Sequence, residues 1–246
     1  MSNLKSVYSF SDNGPILNIN EDDVIVDIKN GLFGVIDGHG GTGIGDVGST
    51  LIKNQLIDNF GKFVDDPEAT LPFFYDPKLS LEINALVNSF LFANEALIKL
   101  NDKKDIAGQA GASLIVGVSV ENSFHCVSVG HCLGLRVRNN DLSPFFLPDS
   151  NYQFSMMNYS DDNQVFPYSF LGDGSHFNYT AKSIDLEPGD KLFLMTDGVF
   201  QRVSGMDLLT LCQDFNGQVS ELSDRLMALA NDRGNKDNQS IIVLEY

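Results

Sequence analysis

The sequence predicts an α+β protein assembled in layers rather than a doubly wound parallel sheet. Two observations carry this. Read from the start, the chain runs β, β, α, α, several β, then α and β, which lacks the strict alternation a parallel sheet requires. The helical stretches also come in neighbouring pairs, with strands grouped around them. The 246 residues are 43% hydrophobic, which is enough for a sizeable core and too much for a disordered chain.

Residues 1–13 are polar and lack the charged start and apolar centre of a secretory signal. Residues 24–27 and 32–36 are short apolar β-runs separated by Lys29-Asn30-Gly31, a hairpin signal. Val47, Leu51, Ile52, Leu56, Ile57, Phe60 and Phe63 recur at spacings of three and four, which is one helix face. Leu79, Ile83, Leu86, Val87, Phe90, Leu97 and Leu100 repeat the pattern. Pro67, Pro72 and Pro77 divide the two helices. Runs 113–120, 124–129 and 133–137 predict strands joined by Glu121-Asn122-Ser123 and Asn139-Asn140 turns. Residues 147–180 are polar and aperiodic and predict a long loop. A strand over 191–195 follows the turn Glu187-Pro188-Gly189-Asp190. Residues 208–215 and 219–230 predict helices, and 240–246 a last strand. With no repeat and no linker composition, one domain over residues 1–246 is expected.

Sixteen Lys and Arg against 33 Asp and Glu give a net charge of −17. That balance argues against nucleic acid and against anionic membranes as partners, because both require clustered basic side chains. The longest apolar runs are too short to span a bilayer. Three Cys without a CxxC pair fit a reducing compartment, so a cytoplasmic protein is expected, its oligomeric state left open.

Four acidic positions sit at predicted strand ends. Asn20-Glu21-Asp22 precedes the first run, Asp37-Gly38-His39-Gly40-Gly41 closes the second, Asp197-Gly198 follows the strand at 191–195, and Asp237-Asn238 precedes the last. A carboxylate leaving an apolar strand is costly to bury unless a cation or donor meets it. Hard divalent cations take such oxygen ligands, and a pair of them can clamp a phosphate and activate water. Asp-Gly and Asp-Asn are equally ordinary turn chemistry, so no single pair is decisive.

Taken together, these blocks resemble the metal-dependent Ser/Thr protein phosphatases of type 2C. The resemblance runs over residues 20–246. It also includes Gly111-Ala112-Ser113, Val127-Ser128-Val129-Gly130, and Leu194-Met195-Thr196-Asp197-Gly198-Val199. It implies a four-layer α-β-β-α sandwich of two antiparallel sheets flanked by helix pairs. It implies hydrolysis of phosphoserine or phosphothreonine on a phosphoprotein substrate by a water bridging two Mn²⁺ or Mg²⁺ ions. Asp37 would bridge both metals, the Gly38 carbonyl would bind one, and Asp197 and Asp237 would hold the other. Glu21 and Asp22 would contact metal directly or through water. His39 either donates a proton to the leaving oxygen or orders solvent. Asn238 either orients Asp237 or a water, or forms a turn.

Two positions depart from the family pattern. Leu17 stands where members usually carry a phosphate-gripping Arg, and leucine offers neither charge nor donor. His131 follows Gly130 where members usually carry an Asp that serves a third metal. Histidine prefers softer metals, so a standard third site is not expected. Cys132 reads as a buried strand residue, and His125 and His176 as structural. Two further readings stand beside the active enzyme. One is a catalytically weak homologue serving as a phosphoprotein-binding or partner-binding module. The other is a nucleotide-hydrolysing module.

Overall fold

The computed structural model describes residues 3–40, 43–66, 71–159, 165–174, 176–213 and 219–246. Gly41, Pro67 and Phe215, named above, lie outside these residues, as do parts of the 147–180 stretch. Ten described strands form two antiparallel sheets: β1 (Ser6–Asp12), β2 (Asp23–Asp27), β3 (Leu32–Gly40), β4 (Ala110–Val120), β5 (Ser123–Val129), β6 (Leu133–Arg138), β7 (Asp141–Phe146), β8 (Thr180–Asp185), β9 (Lys191–Met195) and β10 (Gln239–Glu245). One sheet runs β1-β10-β9-β6-β7 and the other β2-β3-β4-β5-β8. The helices are α1 (Gly45–Asp65), α2 (Leu81–Asn101), α3 (Asp197–Phe200), α4 (Gly205–Gln213) and α5 (Val219–Asp232).

Three apolar layers hold these elements together. Ile52, Leu56 and Phe60 of α1 and Leu86, Phe90 and Leu97 of α2 pack on Ile36, Leu114 and Val116 of the second sheet. Val199, Leu208, Leu222 and Leu226 cover Leu135, Phe193 and Ile241 of the first. Phe33, Ile115, Phe124, Leu192, Ile242 and Tyr246 fill the space between the sheets. This is the α-β-β-α order expected. The predicted helices and the runs at 24–27, 32–36, 113–120, 124–129, 133–137 and 191–195 all appear. Val47 is a local correction: at the first turn of α1 it is 49% exposed rather than on the buried face.

Three strands were not read from the sequence, and all three lie at sheet edges. β7 carries Pro144, which an edge strand tolerates because one of its sides makes no ladder hydrogen bonds. The turn before it, Asn139-Asn140, has φ of 50° and 61° at both residues, the left-handed pair of a type I′ hairpin. β8 is largely exposed and shows no apolar alternation, so it has little signal of its own. β1 lies in the polar N-terminal stretch and gains its order by pairing all seven residues with β10.

Within α2, buried Asn84 and Asn88 turn their amides toward the preceding loop. Asn88 accepts from the Phe73 and Phe74 N–H groups at 3.0 and 3.2 Å and donates to the Phe74 carbonyl at 2.7 Å. Buried amides spent this way satisfy backbone groups that the prolines leave outside any ladder.

Candidate metal centre

The two sheets bring four carboxylates to one end of the sandwich. Asp22 lies just before β2, and Asp37 lies within β3. Asp197 opens α3 directly after β9, and Asp237 stands two residues before β10. β3 extends through Gly40, so Asp37, Gly38 and His39 are strand residues paired with Ser113, Ala112 and Gly111, not a turn closing the strand. Asp197-Gly198 begins a helix rather than a turn.

Two glycines allow the chains to come this close. A side chain on Gly38 would place Cβ 2.3 Å from the Glu21 carbonyl oxygen, and one on Gly198 would place it 1.9 Å from that of Asn238. Only glycine permits such an approach. The Asp22, Asp37 and Asp197 residues are at most 8% exposed, while Asp237 is at the surface.

The electrostatics are those of crowded like charges. Burial holds the Asp37 carboxyl well above the usual carboxylate range, and Asp197, Asp22 and Asp237 push it further. Burial does the same for Asp22, against a 2.8 Å hydrogen bond donated by the Thr196 hydroxyl. Asp197 is pushed up to about 6 by burial, although Gln201 Nε2 donates to its Oδ2 at 2.7 Å. Asp237 is raised to about 6 by burial and then by Asp197. Asp37 Oδ2 is buried and has no hydrogen-bond partner. A buried carboxylate oxygen without a partner, among three more carboxylates, fits a divalent cation.

The other expected residues are distributed around this cluster. Glu21 accepts the Gly45 N–H at 3.1 Å at the start of α1, where no side chain of the capping residue does so. Its carboxyl is raised chiefly by burial, with Asp46 and Asp237 adding to the effect. Asn238 accepts the Glu21 N–H at 2.9 Å and donates to the Ile19 and Asn13 carbonyls at 2.9 and 3.2 Å. Its side chain therefore clamps the 13–21 loop, and it is its backbone N–H that meets Asp237 Oδ1, at 2.9 Å.

His39 packs edge-on against Phe170 with ring centroids 4.6 Å apart. Burial, with His131 nearby, pushes it down to about 4, so it is a neutral imidazole at pH 7. Leu17 is 40% exposed and shares a shallow groove with Asn18, Ile19 and Glu21. His125 bonds Ser183 Oγ at 2.8 Å, away from the site. Cys132 is fully buried, immediately before β6 rather than in it.

Sequence reasoning missed the supporting shell. Thr196 and Gln201 steady Asp22 and Asp197. Ser113, opposite Asp37 on β4, has a buried hydroxyl without a partner. Thr196 was within reach, since it directly precedes Asp197-Gly198. Gln201, one helical turn beyond, carries no signal until α3 is known.

The family model described as Stage II sporulation protein E (SpoIIE) matches residues 83–246, well over half of the chain. The chain belongs to the SpoIIE/type 2C phosphatase family. A protein named "Probable protein phosphatase 2C 2" from Paramecium tetraurelia is 25% identical over 249 residues, covering 87% of this chain and 77% of that protein. PppA, described as a key regulatory component of T6SS in Pseudomonas aeruginosa, superposes with a TM-score of 0.79 at 22% identity, over 99% of this chain and 98% of its own. The Mycobacterium tuberculosis serine/threonine phosphatase PstP/Ppp superposes with 0.78 at 22% identity, over 98% and 97%. The catalytic domain of PstP in complex with two manganese ions gives 0.73 at 21%, again over 98% and 97%. At these identities the structures establish the shared sandwich. Family membership makes this SpoIIE/type 2C chain a phosphatase-type hydrolase, of a family whose members use two Mn²⁺ or Mg²⁺ ions. No helix among its described residues is long and apolar enough to cross a membrane.

Proposed function

We propose that this chain, acting as a single catalytic domain, hydrolyses phosphoserine or phosphothreonine on proteins with the help of two divalent cations. The observation that carries the reading is the buried, unpartnered Asp37 Oδ2 among the Asp22, Asp197 and Asp237 carboxylates. Glu21, Asp22, Asp37, Asp197, Asp237 and the Gly38 carbonyl are the groups that would hold Mn²⁺ or Mg²⁺. When bound, such ions supply the positive charge that clamps a phosphate and lower the pKa of a bound water.

The chain's own residues have separable tasks. Asp37 and Asp197 set the negative field at the cluster, while Thr196 and Gln201 fix the rotamers of Asp22 and Asp197 by hydrogen bonds of 2.8 and 2.7 Å. His39, neutral and wedged on Phe170, offers one N–H hydrogen bond to a leaving oxygen rather than a positively charged proton. Leu17 leaves substrate phosphate without an arginine at that edge. Phosphate affinity then depends on the cations, and a high KM follows.

The test is turnover of a phosphothreonine peptide and of para-nitrophenyl phosphate with millimolar Mn²⁺. Metal-dependent release of phosphate that Asp37→Ala or Asp197→Ala abolishes is expected. Wild-type protein that binds both metals yet turns over neither substrate would instead favour a phosphoprotein-binding homologue, the reading suggested by Leu17 and His131. Nucleotide hydrolysis without peptide hydrolysis would overturn protein substrates.

A further inference from the structure

His131 lies inside the carboxylate cluster, and the family pattern does not explain it. The side chain is buried, with 5% of the residue exposed. Its Nε2 stands 3.6 Å from Asp37 Oδ2 and 4.0 Å from Asp197 Oδ2, both longer than a hydrogen bond. Its Nδ1 is buried and unpartnered. Three of the four buried side-chain polar atoms without partners among the described residues belong to this spot: Asp37 Oδ2, His131 Nδ1 and Ser113 Oγ, the last beside Gly130. A buried imidazole facing two carboxylates just beyond hydrogen-bond range is poorly satisfied by the protein alone.

The spacing suits one ion. Metal–nitrogen and metal–oxygen bonds run about 2.0–2.2 Å, so two ligands of one ion stand at most ~4.4 Å apart. The 3.6 and 4.0 Å separations fall inside that limit. Gln201 occupies one lone pair of Asp197 Oδ2 and leaves the other available.

We infer that His131 Nε2 is a nitrogen ligand which, with Asp37 Oδ2 and Asp197 Oδ2, tunes this centre toward a first-row transition ion and away from Mg²⁺. The inference rests on the metal-centre reading proposed above and narrows it. Imidazole binds Co²⁺ and Zn²⁺ far better than Mg²⁺, which prefers oxygen and its own hydration shell. Cys132 completes a group whose ligand atoms with Asp37 and His131 lie within 4.8 Å. Its thiol is kept protonated by burial and by the Asp37, Asp22 and Asp197 charges, so it is not placed among the ligands.

The experiment is calorimetric titration of the full chain with Co²⁺ and with Mg²⁺, together with the visible spectrum of the Co²⁺-loaded protein. Wild type, His131→Ala and His131→Asp are compared, each checked for folding by its thermal melt. Wild type should prefer Co²⁺ strongly. His131→Ala should weaken Co²⁺ binding at least about tenfold, leave Mg²⁺ binding nearly unchanged and shift the Co²⁺ bands toward those of an all-oxygen site. His131→Asp should narrow the Co²⁺ over Mg²⁺ preference while keeping the fold. Identical spectra and affinities in wild type and both variants would overturn the ligand assignment. So would a near-ultraviolet thiolate band that is removed by Cys132→Ala and untouched by His131→Ala. Wild type that binds neither ion would overturn the metal centre itself, a separate and distinguishable failure.

Discussion

Asp197 and Asp207 lie at the starts of neighbouring helices, α3 and α4, yet their surroundings are opposite. Asp207 takes a bidentate grip from Arg233, at 2.6 and 2.9 Å, plus N–H and O–H bonds from Ser204. The Arg233 guanidinium leads in pushing its carboxyl down to about 2. The stability this pair contributes is present above the ordinary carboxylate pKa and is lost only as pH falls toward 2. Asp190 repeats the arrangement, gripped by Arg138 at 2.7 and 2.6 Å. Asp197 has one amide donor and three carboxylate neighbours, and burial pushes it up to about 6. This fold therefore supplies guanidinium groups to carboxylates that serve structure, and the hydrogen bonds seen at the cluster come from neutral donors. The difference marks where positive charge is to come from outside the chain.

The largest effect should come from removing the cluster's central charge. Asp37→Asn should eliminate metal-dependent turnover. It should also raise the melting temperature of the metal-free protein, at about 2–4 °C per kcal/mol of relieved repulsion. A lower metal-free melting temperature would contradict the repulsion argument. Next, Gly198→Ala, whose Cβ would strike the Asn238 carbonyl at 1.9 Å, should cost about 2–3 kcal/mol in urea unfolding and impair metal binding. On the satisfied side, Arg233→Ala should cost about 1–2 kcal/mol and leave metal affinity as it was. A change in metal affinity there would dissolve the contrast between the two regions.

The protonation difference gives a fourth test. A cation must displace any proton held by Asp197 and Asp237, both at about 6. Calorimetry should therefore show apparent Mn²⁺ affinity falling about tenfold from pH 7.5 to 5.5. The smallest expected change is kinetic: Leu17→Arg should lower KM for phosphopeptide by about tenfold, the worth of one charged hydrogen bond, with kcat little altered.

What the sequence disclosed follows the same physics. The four carboxylates were legible because each adjoins a glycine, an asparagine or an apolar strand end, and local pattern shows that. Their mutual distances were not, since Asp22 and Asp237 meet only through tertiary pairing. Gln201 and Ser113 were invisible for the same reason: a single polar residue has no pattern until its neighbour arrives. The central strands announced themselves by continuous apolar runs such as Ser113 to Val118. The edge strands β1, β7 and β8 did not, because a strand with one unpaired side does not need such a run. His39 and His131 were flagged by the family pattern, but their burial and neutrality come from Phe170, Gly111 and the sheet ends.

The placement of β10 carries a consequence for synthesis. It lies between β1 and β9, and Asp237 and Asn238 stand at its entrance, Asn238 holding the loop that leads to Glu21. A growing chain that has emerged through α5 already contains Asp22, Asp37 and Asp197, but not the strand that joins its first sheet or the fourth carboxylate. Pairing between such distant segments forms late. A nascent polypeptide thus cannot assemble the full set of ligands, and gathers its cations only after translation has passed the last strand.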